Sequence, residues 1–301
     1  MLALLKARFV DAVPGDRWWR LLHRLADAAY PDFLRVVEIL LADSGAVMPL
    51  HEIRAYVMEG RASELVALLE HQLAVKADVS LRAAFLDHLT PLALVAAEAT
   101  TVPGVSVVFD RADPYQLLAI ERFVGDRITE IGATTRQAVR GVVENAFLRG
   151  DGINAQVQEI RRLVGLTSRQ AAAVARYREA LFEGGVSPAR VETLVDRQVQ
   201  RQLRLRATNI ARTETIRAAN AGQHLLWQQL AQDGLLPGGF RRYWTVTPDD
   251  RTCTICLAVP GLNPEGLVLD ELFQTPVGPI LHPPAHPSCR CAVSLRRPEE
   301  G

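Results

Sequence analysis

Lysine is almost missing from this chain: only Lys6 and Lys76 carry it, so nearly all of the 34 basic residues are arginine. Arginine suits planar, bidentate pairing with carboxylate or phosphate, although a GC-rich genome gives the same bias and is the simpler reading. Net charge is missing as well. Lys plus Arg equals Asp plus Glu, at 34 each, so overall charge points to neither a polyanion partner nor an acidic substrate. The first ten residues lack the charge-then-apolar order of a secretory signal, because Lys6 and Arg8 sit inside their apolar stretch. The most apolar windows, 36–42 and 92–97, fall well short of the roughly 20 residues that span a bilayer. These absences predict a soluble intracellular chain with no membrane partner. Cysteine is absent from the first 252 residues. With 301 residues, enough for about two domains, the chain can bury a core without a disulfide scaffold.

What is present reads as mainly α. Residues 18–99 suggest several short helices, punctuated at Pro31, Asp43-Ser44-Gly45, Gly60 and Pro91. Leu65, Leu68, Leu69, Gln72 and Leu73 recur at helical spacing and mark a packed face. His23, His51, His71 and His88 have no cysteine or paired carboxylate nearby, so they read as structural or surface residues. Pro103 and Gly104 break the pattern, and residues 102–109 predict a short strand or linker. Asp113-Pro114 then opens a helix or helix pair that runs to Phe147 and stops at Gly150-Asp151-Gly152. Further helices are expected over about 155–164, about 169–182 with Thr167 or Ser168 as cap, and from Ser187-Pro188 to Gln202 or beyond. The organisation expected is a helical N-terminal segment (1–100), a helical core (101–235) and a small C-terminal α+β domain (236–301).

Two features of the long helix stand out. Between Arg190 and Arg217 seven arginines face only Glu192, Asp196 and Glu214, which reads first as a solvated face with ordinary ion pairs and second as a DNA-contacting stripe. At about 100° per residue, Ala207, Ala211, Glu214, Ala218, Ala221, Gly222 and Leu225 share one stripe. A carboxylate in that small-residue face needs a cation or several N–H donors to offset its desolvation, and Arg251 and Arg290 are the candidate partners. Otherwise the helix is rotated and Glu214 meets solvent.

After residue 236 the period changes. Residues 241–247 and 291–295 alternate like strands, with a loop rich in proline and glycine between them. All four cysteines lie here, as Cys253-Thr-Ile-Cys256 and Cys289-Arg-Cys291, with His286 three residues before Cys289. A small domain with few large apolar residues needs a staple, and five soft ligands offer one to zinc, which takes four. Which four is left open by the spacing. Reduced cysteines without metal, and disulfides formed outside a reducing cell, are the alternatives. The competing reading is a hydrolase acting on peptide or nucleic acid, either a thiol enzyme using Cys253 or Cys256 with His286 and an Asp or a metal-dependent one, and a redox Cys-x-x-Cys is a further alternative. Neither the thiol enzyme nor the redox motif has its expected context, since no helix N-terminus is evident after the cysteines and no βαβ pattern surrounds them. No catalytic residue is assigned.

An ordered series of motifs now carries a resemblance. It comprises Phe109-Asp110 followed by Pro114; Gly165-Leu166-Thr167-Ser168-Arg169-Gln170 with Tyr177-Arg178; Ala211-Arg212-Thr213-Glu214 with Arg217, Asn220 and Gly222; Trp244 and Asp250-Arg251-Thr252-Cys253; and His286-Pro287-Ser288-Cys289-Arg290-Cys291. From about residue 109 to 295 the chain resembles the Mu F-like minor head proteins of tailed phages and prophages. The resemblance implies a non-enzymatic minor capsid protein in the virion or capsid interior, present in the host cytoplasm during assembly. It would act with the portal protein, with major capsid or scaffold proteins as further partners and duplex DNA as a weaker one. The first hundred residues would then face portal or capsid. Arg212, Glu214, Arg217, Arg251 and Arg290 are expected to link the helical body to the zinc-type end. Some relatives carry a toxin or ADP-ribosyltransferase domain beyond the motif, which is not expected so close to Gly301.

Overall fold

In a computed structural model the described residues are 15–43, 46–100, 102, 109–110, 119, 133, 153–163, 165–236, 238–247 and 249–297. They form α1 (Gly15–Asp43), α2 (Leu50–Met58), α3 (Ala62–Ala84), a five-residue π-helical segment (Phe85–Leu89), α4 (Thr90–Ala99), α5 (Ile153–Leu163), α6 (Ser168–Glu183), α7 (Pro188–Gln232), β1 (Arg241–Thr245), α8 (Thr254–Leu262) and β2 (Ala292–Arg296). The mainly helical class with a small two-stranded sheet is as expected. The helix expected after Asp113-Pro114 and the segment 103–108 lie outside the described residues.

Two prolines expected to break helices do not. Pro31 lies inside the 29-residue α1, where buried Leu22, Leu25, Phe33 and Val37 anchor the helix on either side and offset an interior proline's cost of about 3 kcal/mol. Pro91 lies two residues after the π segment, in the first turn of α4. A π turn shifts each hydrogen bond to a carbonyl one residue further back, so the missing N–H and bulky ring of a proline are accommodated without ending the rod. Residues Ala62–Ala99 thus form a 38-residue helical run that is long and apolar enough, by length and composition, to cross a membrane. That exceeds the expectation from uninterrupted apolar windows, because scattered charges broke up those windows. The run also serves the interior: Leu65, Leu69, Leu81, Phe85, Leu89 and Leu92 are all buried.

The chain forms two compact units, each discontinuous in sequence. One comprises Arg35–Ala84 and Phe123–Thr208. Its core joins Met48, Ile53 and Val57 to Leu65, Val66, Leu69 and Leu73 of α3, and to Val157 and Ile160 of α5. Thr167 caps α6 reciprocally with Gln170, satisfying donors that a helix start otherwise leaves open. On the first part of α7, Val191, Val195, Val199 and Leu203 are buried at four-residue spacing. Arg162 bridges Glu192 and Asp196 at 2.8 Å each, and Arg178 also pairs with Glu192.

The other unit comprises Met1–Leu34, Phe85–Arg122 and Asn209–Gly301. Here α7 is buried almost all round, from Thr213 to Trp227 with Arg217 alone half-exposed, because helices and the C-terminal sheet cover it. Gly222 permits the closest approach: a Cβ there would lie 1.8 Å from the Ala93 carbonyl oxygen of α4. Strands β1 and β2 pair antiparallel from Arg241↔Arg296 to Thr245↔Ala292. Arg242 is fully buried and donates to the backbone carbonyls of Val268, Glu271 and Leu281, closing the loop between the strands. Burial lowers its pKa to about 10.

Candidate metal centre

Two short pieces of backbone bring the soft ligands together. Cys253, in extended conformation (φ −78°, ψ 162°), is the N-cap residue of α8, and Cys256 lies in that helix's first turn. This corrects the expectation that no helix start follows the cysteines; the sequence Thr254–Leu262 contains Pro260 and Gly261, which masked the helix. The placement matters chemically, since one helix start presents both sulfurs of the Cys-x-x-Cys from a single turn. On the other side, the Cys289 N–H donates to the His286 carbonyl at 3.1 Å. Pro287 and Ser288 occupy the turn's centre, and Ser288 has φ 60°, the arrangement of a type II turn with proline first and left-handed backbone second. Helix α7 holds this turn: Thr213 Oγ1 accepts from the Ser288 N–H at 3.0 Å, and the Ser288 hydroxyl lies 3.1 Å from Asn209 Oδ1. Asn220 donates to the Cys291 carbonyl at 3.4 Å.

The outcome is a compact cluster. His286 Nε2 lies 3.1 Å from the Cys253 sulfur and 3.0 Å from that of Cys256, and the Cys256 and Cys289 sulfurs are 3.6 Å apart. Cys253, Cys256 and His286 form one group whose ligand atoms lie within 4.8 Å of one another, and Cys256, Cys289 and Cys291 form a second. Cys256 belongs to both. No disulfide is present: all four cysteines are free thiols. Cys256, Cys289 and Cys291 are buried and Cys253 is half-buried.

These groups could hold a metal ion, and three observations fit that use. His286 Nδ1 lies 2.9 Å from the Pro287 carbonyl, which fixes the ring as a metal-ligating histidine is usually fixed and leaves Nε2 facing the sulfurs. The ligand atoms converge from two chain segments about thirty residues apart, as in structural thiolate–imidazole sites. Finally, the sulfurs held this close compete for negative charge. Hydrogen bonds from Cys256 and Cys291 draw Cys289 well below the usual thiol range, while the bond to Cys289 pushes Cys256 far above it. Cys291, lowered by Cys256 but raised more by Cys289 and burial, ends at about 12. A cation among them would remove that conflict by replacing protons.

The charged residues expected to link body and tail are placed as follows. Glu214 is buried, as its stripe predicts, and its carboxylate lies 3.3 Å from Arg217 Nε, one turn along the same helix. Arg290 instead grips Asp249 with two bonds of 2.6 and 2.7 Å, and exposed Arg251 also reaches Asp249 at 3.3 Å. The Arg290 guanidinium holds the Asp249 carboxyl far below the usual carboxylate range. Arg212 is exposed and lies over the Tyr30 ring at 5.7 Å. Sequence reasoning missed Asp249 as the acid that receives both arginines. It lies two residues before Arg251 in Asp249-Asp250-Arg251, and nothing in the pattern distinguished it from its neighbour.

Among known families, residues 137–294 match the one described as Phage Mu protein F like protein. The match covers just over half of the chain and includes every cysteine and His286. The chain belongs to the Phage Mu protein F like family. The match begins 28 residues later than the resemblance read from the motifs, at 137 rather than 109, and ends one residue earlier, at 294 rather than 295. Membership in the Mu F-like family marks the chain as a phage head morphogenesis protein. No curated protein and no solved structure matches it.

Proposed function

We propose that this Mu F-like protein is a minor head protein that acts with the portal in capsid assembly, as a binding and scaffolding component with no enzymatic role. The family match ending on the Cys/His cluster is the observation that carries this reading. The cluster is a structural zinc site, because mixed thiolate and imidazole donors with no hard oxygen ligand suit zinc. Four of Cys253, Cys256, His286, Cys289 and Cys291 bind the ion. Binding energy there becomes folding energy for the C-terminal segment.

Metal analysis of the purified chain should return about one zinc, lost with chelator, and Cys289→Ser should release the metal and expose the segment to protease. Co-purification with the portal protein tests the assembly role. Failure of the intact, zinc-loaded chain to bind portal, capsid or scaffold protein would remove it.

Duplex DNA is a further partner in this reading. Arg190, Arg197, Arg201 and Arg204 are exposed and fall within an arc of about 60° on α7, over a length of roughly 21 Å. None has a carboxylate partner among the described residues. Four phosphate contacts imply a log–log salt slope of about −3 to −4 for duplex binding, and replacing Arg197, Arg201 and Arg204 by Gln should flatten it.

One observation favours a second reading, a thiol hydrolase: Cys253 sits at a helix N-terminus 3.1 Å from His286. Rapid alkylation of Cys253 in the zinc-loaded protein, with turnover of a peptide substrate, would support it. Protection of Cys253 by zinc supports the structural role.

A further inference from the structure

We infer that Trp19 and His23 of α1 are positioning residues for the sulfur-bearing turn, so that docking of the N-terminal helix and metal loading are coupled. The inference rests on the metal reading above. Its focus is a single peptide group, the one joining Arg290 to Cys291. The Arg290 carbonyl oxygen accepts from the Trp19 indole N–H at 2.9 Å and from the Thr247 hydroxyl at 3.0 Å. His23 Nε2 lies 2.9 Å from the same oxygen, and since a carbonyl only accepts, Nε2 carries the proton. A carbonyl offers two lone pairs, so three donors saturate it.

This peptide group lies between Cys289 and Cys291, both members of one cluster of candidate ligands, so its orientation sets the direction from which their sulfurs approach. Trp19 and His23 therefore act through one peptide plane, holding the turn that presents the sulfurs to an ion. The Arg290 side chain cannot rotate the peptide away, because Asp249 holds it with two bonds.

The donor pair is itself well held. The Trp19 and His23 rings lie 4.4 Å apart, one helical turn from each other, and buried Leu22, Leu25 and Ala26 anchor α1 beside them. Both residues lie outside the family-matched segment 137–294. The N-terminal helix thus adds two donors from outside the matched segment to the one that Thr247 supplies from within it. By linkage, if α1 docking tightens metal binding, metal tightens α1 docking by the same factor.

The test uses the full chain, with Zn(II) competed against a chelating dye and Co(II) as a spectroscopic probe. Trp19→Phe keeps the ring and removes one donor; His23→Leu removes the other. Loss of such outer-shell partners typically costs about 10- to 100-fold in metal affinity, so each variant should bind Zn(II) roughly tenfold more weakly and shift the thiolate-to-Co(II) charge-transfer band. His23→Gln retains an N–H donor and should recover affinity, a recovery that a packing defect would not give. In the unmutated protein, trypsin should cut after exposed Arg20 and Arg24 faster once metal is chelated. If the unmutated chain takes up no Co(II) on its cysteines, the metal reading falls and this inference with it. If it does, but Trp19→Phe and His23→Leu match its affinity and spectrum and chelation leaves tryptic cleavage unchanged, the coupling alone is overturned.

Discussion

Gly222→Ala is the most discriminating single substitution, because helix propensity and packing predict opposite signs. Gly222 lies in the interior of the 45-residue α7, where alanine is intrinsically favoured by about 1 kcal/mol. Against that, a Cβ at 222 would lie 1.8, 2.6 and 2.8 Å from the O, C and Cα atoms of Ala93. An ordinary carbon–oxygen contact needs somewhat more than 3 Å, so α7 and α4 would have to separate by well over an ångström. Both clashing partners are helix backbone and cannot turn aside as a side chain would. Overpacking of this kind costs about 1–3 kcal/mol and sometimes more; with rigid partners the upper end applies, and a net loss of about 2–3 kcal/mol remains after the propensity gain. The tryptophans at 18, 19, 227 and 244 all belong to the unit that contains Gly222, so fluorescence during urea unfolding reports on that unit. Gly261→Ala, at a helical site with nothing within 4 Å of the added Cβ, is the control and should be neutral or slightly stabilising. If Gly222→Ala were as stable as the parent, the close approach of α7 to α4 would be wrong.

Acid should weaken the same unit. Burial, aided by Arg242, lowers His224 from 6.5 to about 3, although the exposed Asp270 carboxylate lies 3.4 Å away. The fold favours neutral His224, so its contribution is complete above pH 6.5 and is lost as pH falls toward 3, at about 1.4 kcal/mol per pH unit. In chelated protein, His224→Met should flatten the acid limb of the stability profile by about one proton; an unchanged slope would exclude the group. Ser288→Gly should relieve the left-handed strain at φ 60° and stabilise by roughly 0.5–1 kcal/mol after losing the contact with Asn209, whereas Ser288→Val should destabilise, both read from the urea midpoint. Asp249→Asn should lower the thermal midpoint at pH 7. Because Arg290 depresses the Asp249 pKa, the ion pair's contribution is present above the ordinary aspartate value of 3.8 and lost on further acidification, so the gap between variant and parent should close below that pH.

Sequence alone determined the chemistry of the tail and the identity of the main helices. Clustered cysteines, a histidine three residues before Cys289 and a small-residue stripe around Glu214 are local signals, and local signals survive without coordinates because ligand type and helical period depend on neighbours along the chain. The cap at Thr167, the stop at Gly60 and the strand near Cys291 were legible for the same reason. What only the tertiary structure decided are the long-range partners. The π segment that lets α3 run past Pro91, the choice of Asp249 by Arg290, the burial of Arg242 under three carbonyls, and the reach of Trp19 and His23 to a carbonyl some 270 residues away all depend on which surfaces meet. Residue type and spacing state what a side chain can do; burial and approach, set by the whole fold, decide which of those options it takes.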